Sequence, residues 1–139
     1  MAHNRFTYGG YRIAAVAGIL LLAAACTQTL KRVNSESYGW GPQQGVTLAK
    51  VQATIEKTAY DLGWEVVDTK PGSFTAKRSW DYDKHNIAAD VVYDLKTFSI
   101  RYKDSKALGY NGRSIHHSYN VMVAALEERI KATVSALYP

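Results

Sequence analysis

The sequence predicts an α+β domain, a four-stranded antiparallel meander with two helices on one face, in the order α-β-β-β-β-α. Three observations carry this reading. Two stretches, one near each end of the domain, hold apolar residues at helical spacing, and four shorter stretches between them alternate or run apolar as strands do. The connections between those strands are short, which favours neighbours pairing as hairpins. Two amphipathic helices each need a surface to cover, and one sheet face supplies it, giving a two-layer sandwich.

Each element has its own warrant. Over residues 46–62, Val51, Ile55, Ala59 and Leu62 form one stripe, and Thr47 is placed to cap the helix. Val46 and Val51 occupy the positions of a hydrophobic staple, and Gly63 stands where a helix ends. Residues 64–68 are β-like, and Lys70-Pro71-Gly72-Ser73 has proline and glycine where a type II turn wants them. Phe74, Ala76, Arg78 and Trp80 then alternate with Thr75, Lys77 and Ser79. After a connection at 81–85 come strands at 87–93 and 98–103, joined near Asp94-Leu95-Lys96. In the second of these, Phe98, Ile100 and Tyr102 face one way and Ser99, Arg101 and Lys103 the other. A loop at 104–113 follows. Ser114 is placed to cap a last long helix, whose stripe is Ile115, Tyr119, Met122, Leu126, Ile130, Val134 and Leu137.

The chain of 139 residues allows one domain. It carries 17 Lys and Arg against 12 Asp and Glu, and setting aside Arg5 and Arg12 leaves 15 against 12 in the remainder. A surplus this small and this scattered excludes the clustered basic face of a nucleic-acid binder. The one cysteine, Cys26, rules out an intrachain disulfide.

Residues 1–25 have the organisation of a secretory signal peptide. Arg5 and Arg12 precede an uninterrupted apolar and small-residue run at 13–25, with no acid anywhere before Cys26. That run of thirteen is too short for the roughly 20 residues a spanning helix needs, and Thr27, Gln28, Lys31 and Arg32 interrupt it. It ends Leu22-Ala23-Ala24-Ala25-Cys26, which resembles the lipobox of bacterial lipoproteins, with Ala23 where that pattern usually has Leu. The resemblance implies cleavage between Ala25 and Cys26 and a diacylglyceryl group on the Cys26 sulfur. It also implies an anchor of two or three acyl chains, enough for stable attachment to a membrane. Thr27 is not the Asp that often retains such proteins in the inner membrane, so the periplasmic face of the outer membrane is the expected address. Residues 26–45 are polar, hold three glycines and Pro42, and read as the lipidated cysteine and a flexible tether. Tyr38 and Trp40 within it either touch headgroups or pack back on the domain. Residues 46–139 form the α+β domain.

Gly63-Trp64, Lys70-Pro71-Gly72 and Ile115-His116-His117-Ser118-Tyr119-Asn120, together with the lipobox, resemble a group of small, uncharacterised proteobacterial lipoproteins. The stretches 99–105 and 108–112 look like the same group. This similarity implies the address and the architecture and brings no activity or ligand with it.

The densest polar cluster is Tyr110, Asn111, Ser114, His116, His117, Tyr119 and Asn120. A functional reading makes Tyr110, Asn111, His116, Tyr119 and Asn120 a small ligand pocket at a helix N-terminus. The plainer reading has the polar residues satisfy backbone groups while the tyrosines pack on the sheet. A metal is not expected, since adjacent histidines diverge on a helix and Cys26 is consumed. Asp81-Tyr82-Asp83 resembles the start of a calcium loop but lacks its glycine and closing glutamate. The aromatics Trp80, Tyr82, Tyr93 and Tyr102 could line a face for glycan or peptide, though alternating spacing makes most of them core. With no nucleophile elbow and no glycine-rich phosphate loop, no catalytic residue and no cofactor is assigned. The function expected is therefore a non-catalytic, membrane-anchored envelope lipoprotein, binding a protein, peptide or cell-wall partner or serving a structural role. The alternative is a periplasmic small-ligand binder or weak hydrolase that uses the His116 region.

Overall fold

The computed structural model describes residues 26–39 and 45–138; the expected signal peptide, with Ala25 and Trp40, lies outside them. The architecture is α+β, with two helices, one five-stranded antiparallel sheet and one two-stranded ribbon.

Helix α1 (Leu48–Asp61) starts where expected, with the Thr47 hydroxyl accepting the Lys50 N–H at 3.2 Å. Its stripe of Val51, Ile55 and Ala59 is fully buried. The helix stops because Gly63 takes φ +81°, a left-handed conformation that costs glycine nothing. Strand β3 (Glu65–Lys70) pairs with β4 (Ser73–Trp80), and Lys70 faces Ser73 across the Pro71-Gly72 turn. Gly72 has φ +82°, and a side chain there would also press on the Tyr93 carbonyl at 3.2 Å. Strands β5 (His85–Tyr93) and β6 (Thr97–Lys106) complete the meander.

The alternation read from the sequence decides which face is covered. Phe74, Ala76, Ile87, Ala89, Val91, Tyr93, Phe98 and Ile100 join one buried cluster with the stripe of α1 and with Tyr119, Leu126, Ile130 and Val134 of the last helix, where Val123 and not the expected Met122 is the buried neighbour. Thr75, Asp90, Arg101 and Lys103 belong to the opposite face, where Lys103 donates to Thr75 at 2.8 Å and pairs with Asp90 at 3.0 Å. Helix α2 (His117–Ser135) lies against α1, and the two are joined by a hydrogen bond of 2.9 Å between the Thr58 and Thr133 hydroxyls.

Two expectations are corrected. The sheet has five strands, because residues read as tether form β2 (Val33–Ser37), which pairs antiparallel with β6 and makes the order β2-β6-β5-β4-β3. Leu30, Val33 and Tyr38 of that segment are core residues. Tyr38 packs back on the domain, stacking on Phe98 with ring centroids 5.4 Å apart and donating to the Asp94 and Thr97 carbonyls. A strand was not visible because Ser35 takes φ +50° and the pairing register shifts between Val33 and Glu36, so the buried positions do not alternate. The last helix also starts later than expected. Ser114–His116 is strand β7, paired with β1 (Thr27–Thr29), and Ile115 is buried from a strand. The cap of α2 is accordingly His116 and not Ser114.

Candidate functional site

The loop before β7 is a turn built by one side chain. Asn111 Oδ1 accepts the Arg113 and Ser114 N–H groups at 3.0 and 2.8 Å, and its own N–H donates to the Ser114 carbonyl. The chain then enters β7, where the His116 N–H reaches back to the Leu108 carbonyl at 2.9 Å. At the start of α2, His116 Nδ1 accepts the Ser118 N–H at 3.3 Å, with the Ser118 hydroxyl 2.9 Å away. His117 is exposed, and its ring leans on that of His116 with centroids 4.4 Å apart.

Asn120 is a bridge between α2 and the segment that carries Cys26. Its Oδ1 accepts the Lys31 N–H at 2.8 Å, and its Nδ2 donates to the Thr29 carbonyl at 2.8 Å and to Gln28 Oε1 at 3.3 Å. These are hydrogen bonds to backbone at a chain crossing, a structural use of asparagine. Cys26 is exposed and directly precedes Thr27, whose Cα partner across the ribbon is His116.

The five residues singled out as a possible ligand site are thus divided. Asn111 serves its own turn, His116 the helix cap and Asn120 the β1 segment. Tyr110 and Tyr119 instead meet at a third aromatic ring, that of Tyr102, with centroids 3.9 and 5.7 Å from it. Tyr119 is fully buried, and its hydroxyl has no hydrogen-bond partner among the described residues. Burial drives the Tyr119 pKa well above the ordinary phenol value, and the neighbouring Tyr102 and Tyr110 push the same way while Arg32 opposes them.

That aromatic group borders a cavity of about 380 Å³ lined by Leu30, Arg32, Asn34, Arg101, Tyr102 and Tyr110, with Ile100. Of its polar lining, only Tyr110 belonged to the expected site. Arg32 and Asn34 were hidden by the tether reading, and the one available signal was two cationic residues, Lys31 and Arg32, directly between Leu30 and Val33. A broader and more open depression of about 940 Å³ lies between the end of α1 and β3, where Tyr60 and Trp64 face a Lys57–Asp61 ion pair of 2.6 Å.

The remaining candidates are separate from both. Asp81 Oδ2 stands 3.9 Å from His85 Nε2 and 3.7 Å from Lys84 Nζ in the β4–β5 hairpin, and Trp80 stacks on His85. Tyr93 is core and Tyr82 is almost wholly exposed, so the four aromatics form no common face. Among the described residues, no group of three or more His, Cys, Asp or Glu side chains converges as metal ligands would. Among them too, no helix is long and apolar enough to cross a membrane.

No family model matches this chain, and no curated protein or solved structure does either.

Proposed function

We propose that this protein is a bacterial envelope lipoprotein, anchored through acyl chains on Cys26 and holding a non-catalytic binding or structural domain against the membrane. The observation that carries the reading is the position of Cys26. It is the only cysteine, it closes the run Leu22-Ala23-Ala24-Ala25-Cys26, and it is exposed one residue before the first strand. An acylated sulfur there would leave the core intact, since Cys26 makes no part of it. The periplasmic face of the outer membrane is the proposed address because Thr27 follows the cysteine. The partner class is an envelope protein, peptide or cell-wall component.

The alternative, a small-ligand binder or weak hydrolase at His116, requires His116, Asn120 and Tyr110 to converge. The first two are committed to the α2 cap and to β1, so the geometry favours the non-catalytic reading. The test is Cys26→Ser in the full chain. It is expected to abolish incorporation of labelled fatty acid and to leave an unprocessed precursor in the inner membrane. Normal processing and unchanged fractionation would overturn the proposal.

A further inference from the structure

Strand β2 runs beside β6 only from Val33, which faces Ile100, while β6 continues to Lys106. The preceding residues turn away, and the Leu30 N–H is held by the Arg113 carbonyl at 2.9 Å. The two segments separate like the arms of a fork, and the 380 Å³ cavity is the space between them. Among the described residues its lining includes two arginines and no carboxylate.

Three acids on neighbouring elements, among them Asp90 directly across from Arg101, are paired with lysines. Glu127 holds Lys31 at 2.7 Å, Glu36 holds Lys131, and Asp90 holds Lys103. Among the described residues neither Arg32 nor Arg101 forms an ion pair. Behind the cavity, the Tyr119 hydroxyl is one of four buried side-chain polar atoms that find no partner among the described residues, and Arg32, Tyr102 and Tyr110 lie within its electrostatic reach.

We propose that this cavity binds a phosphate group, held by Arg32 with Arg101 at its border and hydrogen-bonded by Asn34 and Tyr110. A guanidinium presents paired donors that match phosphate oxygens, and a site free of acids avoids repelling the charge. The volume leaves room for the substituent that a phosphoester carries, with the Tyr102–Tyr110 pair as its apolar wall. Two sources share this chemistry. One is a soluble phosphomonoester. The other is a phospholipid headgroup, because Arg32 is six residues from Cys26, at most about 20 Å of chain. The headgroup source rests on the anchoring proposed above, and the soluble source does not.

The test uses the full chain, extracted from membranes in a non-ionic detergent, with calorimetric titration at constant ionic strength. The probes are inorganic phosphate, glycerol 3-phosphate and detergent micelles doped with phosphatidylglycerol. Saturable binding of at least one probe is expected. Arg32→Gln should weaken it by about tenfold or more, as loss of a charge-assisted pair does, with partial recovery in Arg32→Lys. Lys57→Gln, which removes a cation at the far depression, should leave it unchanged. Arg101→Gln is the second variant should Arg32→Gln lower the melting temperature. Binding of the two soluble probes identifies a soluble ligand, and binding of the micelles alone identifies a headgroup. No saturable binding of any probe, or equal affinity in both arginine variants, overturns the site. Mass spectrometry on the same preparation reports acylation of Cys26, so a failed anchor is read separately from a failed site.

Discussion

Asp94 holds the β5–β6 turn with one carboxylate oxygen, which accepts the Lys96 and Thr97 N–H groups at 2.7 Å each. The Lys96 bond, more than any other influence, keeps its carboxyl below the ordinary carboxylate range. A folded-state pKa lowered in this way stabilises the fold above the unfolded value and loses that contribution as pH falls through the folded one. Asp94→Ala should therefore cost about 1 kcal/mol at neutral pH, modest because the group is exposed. The gap in melting temperature from wild type should close below about pH 4, and a gap constant from neutral to acid would refute the assignment. The two histidines separate in the same way. His116→Ala removes the α2 cap and should cost about 1 kcal/mol in denaturant unfolding, whereas His117→Ala, on an exposed side chain, should leave stability nearly unchanged. Equal losses would mean that the cap is not what His116 supplies. The sequence showed that capping residues crowd this region. It did not show which one caps, because Ser114 is drawn into a strand by pairing with residues some 85 positions earlier, and local pattern carries no trace of a distant partner.

At the scale of elements, the legible ones were those whose signal is local. Helix α1 announces itself through Thr47, the 51-55-59 stripe and Gly63, and the β3–β4 turn through Pro71-Gly72; strands β4 and β6 show their alternation, and β5 is an apolar run. The β4–β5 hairpin hides an irregularity that composition does not advertise. Asp81, Tyr82 and Asp83 all take left-handed φ values of 53°, 53° and 62°. Aspartate tolerates that region and an aromatic residue does so at a cost of about 1–2 kcal/mol. Tyr82 is 97% exposed and so recovers little by packing. Tyr82→Asn should thus be neutral or stabilising by up to about 1 kcal/mol, seen as a raised melting temperature. A clear loss of stability would show that the tyrosine ring makes a contact that its exposure denies.

For the whole molecule, the decisive feature is that one edge of the sheet comes from the segment next to Cys26. Helix α1 connects β2 at one edge to β3 at the other, so the first part of the domain closes what the meander leaves open. An anchor at Cys26 would accordingly hold β1, β7 and the arginine cavity close to the bilayer instead of lifting them away on a tether. The same topology alters what a shortened chain should do. A fragment of residues 45–139 keeps both helices and the four strands legible in the sequence, and by local pattern alone it is a complete domain. It nevertheless lacks Leu30, Val33 and Tyr38, each buried in the core. Burying side chains of that size is worth about 1.5–3 kcal/mol each, so the loss is about 5 kcal/mol or more, against a total of about 5–15 kcal/mol for a whole domain. It also uncovers the Phe98 ring that Tyr38 stacks on, leaves β6 as an unpaired edge, and removes the Asn120 partners at Thr29 and Lys31. The fragment should be unfolded or aggregating by circular dichroism and analytical sedimentation. The fragment of residues 27–139, which carries no apolar run of signal-peptide length, should be soluble and melt in one cooperative step. Equal cooperative melting of the two fragments would show that β2 is an accessory to this fold and not a member of it.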